Sequence, residues 1–148
     1  MPPPLVVPDA SVLLKWVLRS TDEESVDAAV ALRDAWFSGV VDIVVPSLWA
    51  YEVGNVLGLK QPALAGEMLQ SLLDLRLPEE RPQAYSSGIF TLMKESGATF
   101  YDAAYHALAI ARGGVMLTAD RKYVAKCGRA GAVSLIEAWS SSPGAPGL

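Results

Sequence analysis

Apolar positions along the chain alternate between short unbroken runs and runs at helical spacing. Leu5-Val6-Val7-Pro8 is a brief apolar stretch that ends on Asp9. A strand buried on both faces, inside a parallel sheet, reads this way. Leu13, Leu14, Val17 and Leu18 then predict a helix from Ala10 to Leu18 that Asp9 caps. Pro8 cannot donate to a sheet ladder, which puts it at the last rung of its strand. Thr21 and Glu24 form a Thr-x-x-Glu capping box. The helix they open carries Val26, Ala29, Val30, Trp36 and Phe37, and Gly39 ends it.

Asp42-Ile43-Val44-Val45 predicts a second strand, stopped by Pro46. Ser47 is placed to cap a third helix with Leu48, Val53, Val56 and Leu57 as its apolar positions. Pro62 suits the first turn of a fourth helix, carrying Leu64, Met68, Leu69, Leu72 and Leu73. Leu75-Arg76-Leu77 reads as an edge strand before Pro78, and Pro82 opens a fifth helix that closes at Gly97. Thr99 begins a sixth, from about Tyr101 to Arg112, apolar enough to predict burial on most sides. After Gly113-Gly114 come a strand at Val115–Thr118 that delivers Asp120, a short helix at Arg121–Cys127 and a last strand at Val133–Ile136. This alternation predicts an α/β fold, a parallel sheet with helices on both faces. One domain is expected over residues 1–139, with a Ser/Pro/Gly tail at 140–148.

Composition supports that picture. A chain of 148 residues that is 51% hydrophobic can build one substantial core. No apolar run reaches transmembrane length, and Met1–Pro8 lacks the pattern of a signal peptide. Cys127 is the single cysteine, so no internal disulfide can form, and a cytoplasmic setting without membrane contact is expected. The formal charge of −4 by itself argues against a nucleic-acid partner. That changes if four of the 16 acids bind metal, because the remaining body balances its 12 basic residues.

Four acids are candidates by position: Asp9, Glu52, Asp102 and Asp120. Each has an ordinary explanation. Asp9 and Asp120 fit helix caps, Asp102 completes a capping box with Thr99, and Glu52 can face solvent. Helices that follow parallel strands start at the sheet's carboxyl-terminal edge, however, so all four can reach one rim. Two carboxylates about 5 Å apart repel by roughly 3 kcal/mol at an effective dielectric near 20. Four together require a proton or a cation, and oxygen-only ligation suits Mg²⁺ or Mn²⁺.

The chain resembles the PIN-domain ribonucleases, most closely the VapC-type toxins of toxin–antitoxin pairs. The resemblance rests on Val7-Pro8-Asp9-Ala10-Ser11-Val12-Leu13-Leu14-Lys15-Trp16 and on Pro46 to Leu57 around Glu52. Thr99-Phe100-Tyr101-Asp102-Ala103-Ala104-Tyr105 and Leu117-Thr118-Ala119-Asp120 complete it, in matching order and separation. It implies a three-layer sandwich whose central parallel sheet has about five short strands. It also implies that Asp9, Glu52, Asp102 and Asp120 are both catalytic and metal ligands, holding Mg²⁺ or Mn²⁺. Ser11 and Thr118 match hydroxyl positions beside the acids, and Asn55 shares the face of Glu52.

The activity implied is metal-dependent endoribonuclease cleavage by an activated water, leaving a 5′-phosphate and a 3′-hydroxyl. The partners implied are an RNA substrate, a small antitoxin and a second copy of the chain. The apolar helices before Gly39 and after Pro62 would be the partner surfaces. Two departures from the family pattern stand out: Pro8 before the first aspartate, and His106 where an aliphatic residue is common. His106 is four residues after Asp102, placed either to donate to it or to be satisfied elsewhere in the core. Lys15 and Arg121 lie where they can meet phosphate or solvent.

Two other readings remain open. One is a catalytically weak PIN-like module used for binding or assembly. The other is an aspartyl phosphoacceptor, which the single Asp9-Ala10-Ser11 fits poorly, since those sites want paired acids at the first strand.

Overall fold

The computed structural model describes residues 2–18 and 23–140. Thr21 of the expected capping box and tail residues 141–148 lie outside the described residues.

The first strand, β1 (Leu5–Pro8), occupies an interior position of a four-stranded sheet with order β2-β1-β5-β6, built with β2 (Asp42–Ile43), β5 (Val115–Thr118) and β6 (Val133–Leu135). Every pairing in it is parallel. Val6 and Val7 are fully buried, as an unalternating apolar strand requires. Pro8 does sit at the last rung, opposite Leu117, and the ladder is continued by the Asp9 N–H donating to the Leu117 carbonyl at 3.0 Å.

From β1 the chain goes first to β2 on one side and later to β5 on the other. The carboxyl ends of β1 and β5 therefore flank a topological switch point, where open α/β sheets form ligand crevices. Helix α6 (Phe100–Arg112) packs on β1 and β5, and α5 (Ser86–Ser96) packs behind it. All residues from Ala103 to Ala109 are buried, four of them alanines, so the helix approaches the sheet closely. The rest of the molecule is α1 (Ala10–Leu14), α2 (Glu23–Phe37), α3 (Trp49–Lys60), α4 (Ala65–Leu73) and α7 (Arg121–Cys127).

Several boundaries differ from the sequence-based expectation. The regular helix α1 stops at Leu14, and the backbone continues through Val17 in tighter turns. The expected strand over Asp42–Val45 divides at Val44. The Val44 N–H donates to Val6, whereas the Val45 N–H donates to Pro78. The chain thus changes ladders within one residue. The second ladder is a separate parallel pair, β3 (Val45–Pro46) with β4 (Glu79–Glu80). The roughly five strands expected in one sheet are four plus this pair.

β4 also lies after Pro78 rather than at Leu75–Leu77, because Arg76 has φ 53° and cannot extend a strand there. Two acidic residues make a strand here because both side chains are engaged: Glu79 accepts from Trp49 and Glu80 from Arg112. Ser47 does not cap α3. Its N–H closes the second ladder on Glu80, and the helix starts at Trp49 with Leu48 as an uncapped lead. Pro62 lies in the turn before α4, not in its first turn, and Pro82 opens a short 3₁₀ turn ahead of α5.

Gly114 shows how tightly the sheet is assembled. A Cβ there would lie 2.6 Å from the Leu5 carbonyl oxygen, which is backbone and cannot swing away. Gly114→Ala is therefore expected to cost about 1–3 kcal/mol of stability, from forced separation of β1 and β5. Equilibrium urea unfolding would measure it, and an unchanged midpoint would count against this close approach. Among the described residues, no helix is long and apolar enough to cross a membrane.

Candidate active site

Asp9 follows β1 directly and caps α1. Its Oδ1 accepts the Val12 N–H at 3.2 Å and the Ser11 hydroxyl at 2.5 Å. Its Oδ2 accepts the Thr118 hydroxyl at 2.6 Å. Each hydroxyl also accepts a backbone N–H just past the end of β5. Ser11 Oγ accepts the Ala119 N–H at 2.9 Å, and Thr118 Oγ1 accepts the Asp120 N–H at 3.0 Å. The ends of β1 and β5 are thus laced together by the groups that orient the first carboxylate. Asp120 caps α7 by accepting the Tyr123 N–H at 3.1 Å. Thr99 caps α6 by accepting the Asp102 N–H at 3.2 Å. The ordinary capping roles of Asp9, Asp120 and Thr99 are therefore real, and they set the carboxylates at helix starts around one edge.

Glu52 comes from the other direction, in the first turn of α3. Its Oε1 accepts the hydroxyl of Tyr105 at 2.9 Å. Tyr105 is fully buried, and a buried tyrosine hydroxyl needs a partner. In the sequence, Tyr105 stands out only as the last residue of the Thr99–Tyr105 stretch. Its spacing of three from Asp102 was the only local sign that it faced the acids.

The acids act on one another in pairs: Asp102 on Asp9 and Glu52, Asp9 on Glu52, and Asp120 on Asp102. Burial, eased by its three hydrogen bonds and reinforced by the charge of Asp102, pushes the Asp9 carboxyl up to about 6. Glu52 is raised by burial and, in smaller part, by Asp102 and Asp9, with the Tyr105 hydrogen bond opposing. Asp102 is raised by burial and by the charge of Asp120, with Thr99 and Lys126 opposing. Three buried or half-buried carboxyls are thus held above their ordinary range, partly by one another. A small cleft of about 130 Å³ opens beside Asp102 and Asp120, lined also by Thr99, Lys122, Tyr123 and Lys126; Asp9 and Glu52 do not line it. Lys126 donates to the Gly97 carbonyl at 2.8 Å, so its charge is anchored next to this cleft.

These donors suit a hard divalent cation: they are carboxylate oxygens, and their negative charge is only partly offset by the protein. Among the described residues, no three acidic, histidine or cysteine side chains already stand together as a ligand cage. Mg²⁺ is commonly held by one or two carboxylates with several waters retained, which does not require such a cage.

Other candidate residues have definite places. Asn55 is exposed, three residues beyond Glu52 on α3. Arg121 pairs with Glu137 at 2.6 Å, and Cys127 is buried. The Trp16 and Trp49 indoles donate to Ala29 and Glu79, while Tyr51 is exposed. His106 does not reach Asp102. It is fully buried and bonded to Tyr123 and Gly131.

The family model of the PIN domain matches residues 6–128, a span containing all four acids. Similar solved structures include PAE2754 from Pyrobaculum aerophilum, with 24% identity over 93% of this chain and 92% of that one, and a TM-score of 0.64. VapBC2 from Rickettsia felis, bound to a DNA fragment from its promoter, has 14% identity over 92% and 99% of the two chains, with a TM-score of 0.65. VapC20 of Mycobacterium tuberculosis, a Sarcin-Ricin loop cleaving toxin, has 14% identity over 86% and 96%, with a TM-score of 0.61. At these identities the likeness is one of fold. Comparison with curated proteins returns no significant match.

Proposed function

The chain belongs to the PIN-domain family, and from that premise we propose that it is a metal-dependent endoribonuclease, the toxin of a toxin–antitoxin pair. The observation that carries this reading is the arrival of Asp9 and Asp120 at the ends of β1 and β5, with Asp102 and Glu52 close enough that the charge of Asp120 raises Asp102 and the charge of Asp102 raises Asp9 and Glu52. Charge of one sign, concentrated in a partly desolvated place, has a use if a cation or an activated water belongs there. Asp9, Glu52, Asp102 and Asp120 would hold the ion, Mg²⁺ or Mn²⁺. When bound, the ion supplies Lewis-acid neutralisation of the phosphate and lowers the pKa of a water. Ser11 and Thr118 keep both oxygens of Asp9 aimed, and Tyr105 steadies Glu52. Lys122 and Lys126, beside the cleft, are placed to attract an RNA phosphate.

An antitoxin and a second copy of the chain are the partners proposed, in the cytoplasm. An apolar groove of about 220 Å³ between the end of α1, α2 and α4, lined by Trp16, Val17, Phe37, Leu72 and Leu75, supports a protein partner.

RNA cleavage is expected to disappear in EDTA and return with Mn²⁺. Mn²⁺ at a hundred times its dissociation constant should also stabilise the fold by about 2.7 kcal/mol. A rival reading, a catalytically weak binding module, draws support from the lack of a preassembled ligand cage among the described residues. It predicts a melting temperature that stays flat across the Mn²⁺ titration, with no cleavage under any condition.

A further inference from the structure

One buried polar pair near the acids has no part in the chemistry above. His106 is fully inside the protein. Its Nε2 lies 2.6 Å from the Gly131 carbonyl oxygen, which can only accept, so Nε2 carries the proton. Nδ1 of the neutral ring then accepts the Tyr123 hydroxyl at 2.8 Å. The two rings meet edge to face, with centroids 5.6 Å apart. Burial favours the neutral imidazole, in keeping with this assignment. An aliphatic residue there would leave the Tyr123 hydroxyl and the Gly131 carbonyl without this partner, so the imidazole does more than fill space.

What the pair connects gives it a purpose. His106 is on α6, one turn beyond Asp102. Tyr123 is on α7, and its backbone N–H holds the carboxylate of Asp120. One hydrogen bond therefore ties together the carriers of two acids that repel each other. Resting on the functional reading above, we propose that the His106–Tyr123 bond is a strut that holds Asp102 and Asp120 at the separation a divalent cation needs. His106 and Tyr123 are then positioning residues, acting through α6 and α7.

Mn²⁺ titrations followed by the electron paramagnetic resonance of the free ion test this. Wild type, Tyr123→Phe, His106→Leu and the double variant are compared, with metal-free melting measured on each. Each single variant is expected to weaken Mn²⁺ binding roughly tenfold, the lower end of what outer partners contribute to metal affinity. The double variant should be no weaker than the weaker single, since both remove the same bond. Tyr123→Phe deletes one oxygen and keeps the ring, so it reads the strut even where His106→Leu does not fold. Mn²⁺ affinity unchanged in Tyr123→Phe, or losses that add in the double variant, would overturn the proposal. Wild type that binds no Mn²⁺ overturns the functional reading and the strut with it, whereas normal wild-type binding with unaltered variants overturns the strut alone.

Discussion

Asp9→Asn is expected to lower RNA cleavage about a thousandfold at saturating Mn²⁺, measured under single-turnover conditions. Asp9 is the most constrained of the four acids. Three donors, the Ser11 hydroxyl, the Val12 N–H and the Thr118 hydroxyl, occupy its oxygens. A carboxylate offers about four lone-pair sites, which leaves about one for a cation. The amide keeps the shape but loses the charge, and its nitrogen presents hydrogens where an acceptor is needed. Losing about 4 kcal/mol of the charge stabilisation a metal supplies corresponds to roughly that factor in rate. The fold should survive, because the amide is nearly isosteric and the cap to Val12 needs only one oxygen. Cleavage within about tenfold of wild type by a folded variant would remove Asp9 from the site.

Metal-free protein should lose stability as pH rises, with Asp9 alone responsible for about 3 kcal/mol. In the folded chain its carboxyl is pushed up to about 6, above the ordinary value of 3.8 it regains on unfolding. The folded state therefore binds the proton more tightly than the unfolded one. The stabilisation is complete below about pH 4 and is lost as pH rises through about 6. Glu52 and Asp102 shift in the same direction and add to the slope. Urea unfolding in EDTA from about pH 4.5 to 8 measures this, and Asp9→Asn should flatten the curve by the share of Asp9. Mn²⁺ should flatten it too, because a cation favours the ionised carboxylates. Metal-free stability that climbs across that window would show that the acids do not burden the fold. A site that destabilises its own apoprotein and is relieved by its ligand is the usual compromise between stability and function.

Much of this was legible in the chain. Leu5-Val6-Val7 announced an interior strand, and the carboxylate behind it marked the sheet edge. Thr99 and Gly97 bracketed α5 and α6 through a cap and a left-handed turn, which are local signals. Where the reading failed, tertiary contacts had replaced a local rule. Glu79 and Glu80 form a strand because Trp49 and Arg112 meet their side chains. Ser47 extends the second ladder through its N–H, and the helix starts only after Leu48.

The sequence by itself determined the kinds of element, their order and the residue types available at each strand end, because hydrophobic period and Gly/Pro punctuation act over a few residues. Only the tertiary structure decided that β5 lies against β1, so that Thr118 meets Asp9 across 109 positions of chain. It likewise decided that Tyr105 finds Glu52 and that His106 turns from Asp102 to Tyr123. These pairings depend on which surfaces the packed helices bring within about 3 Å, and hydrogen bonding at that range has no counterpart in a pattern along the chain.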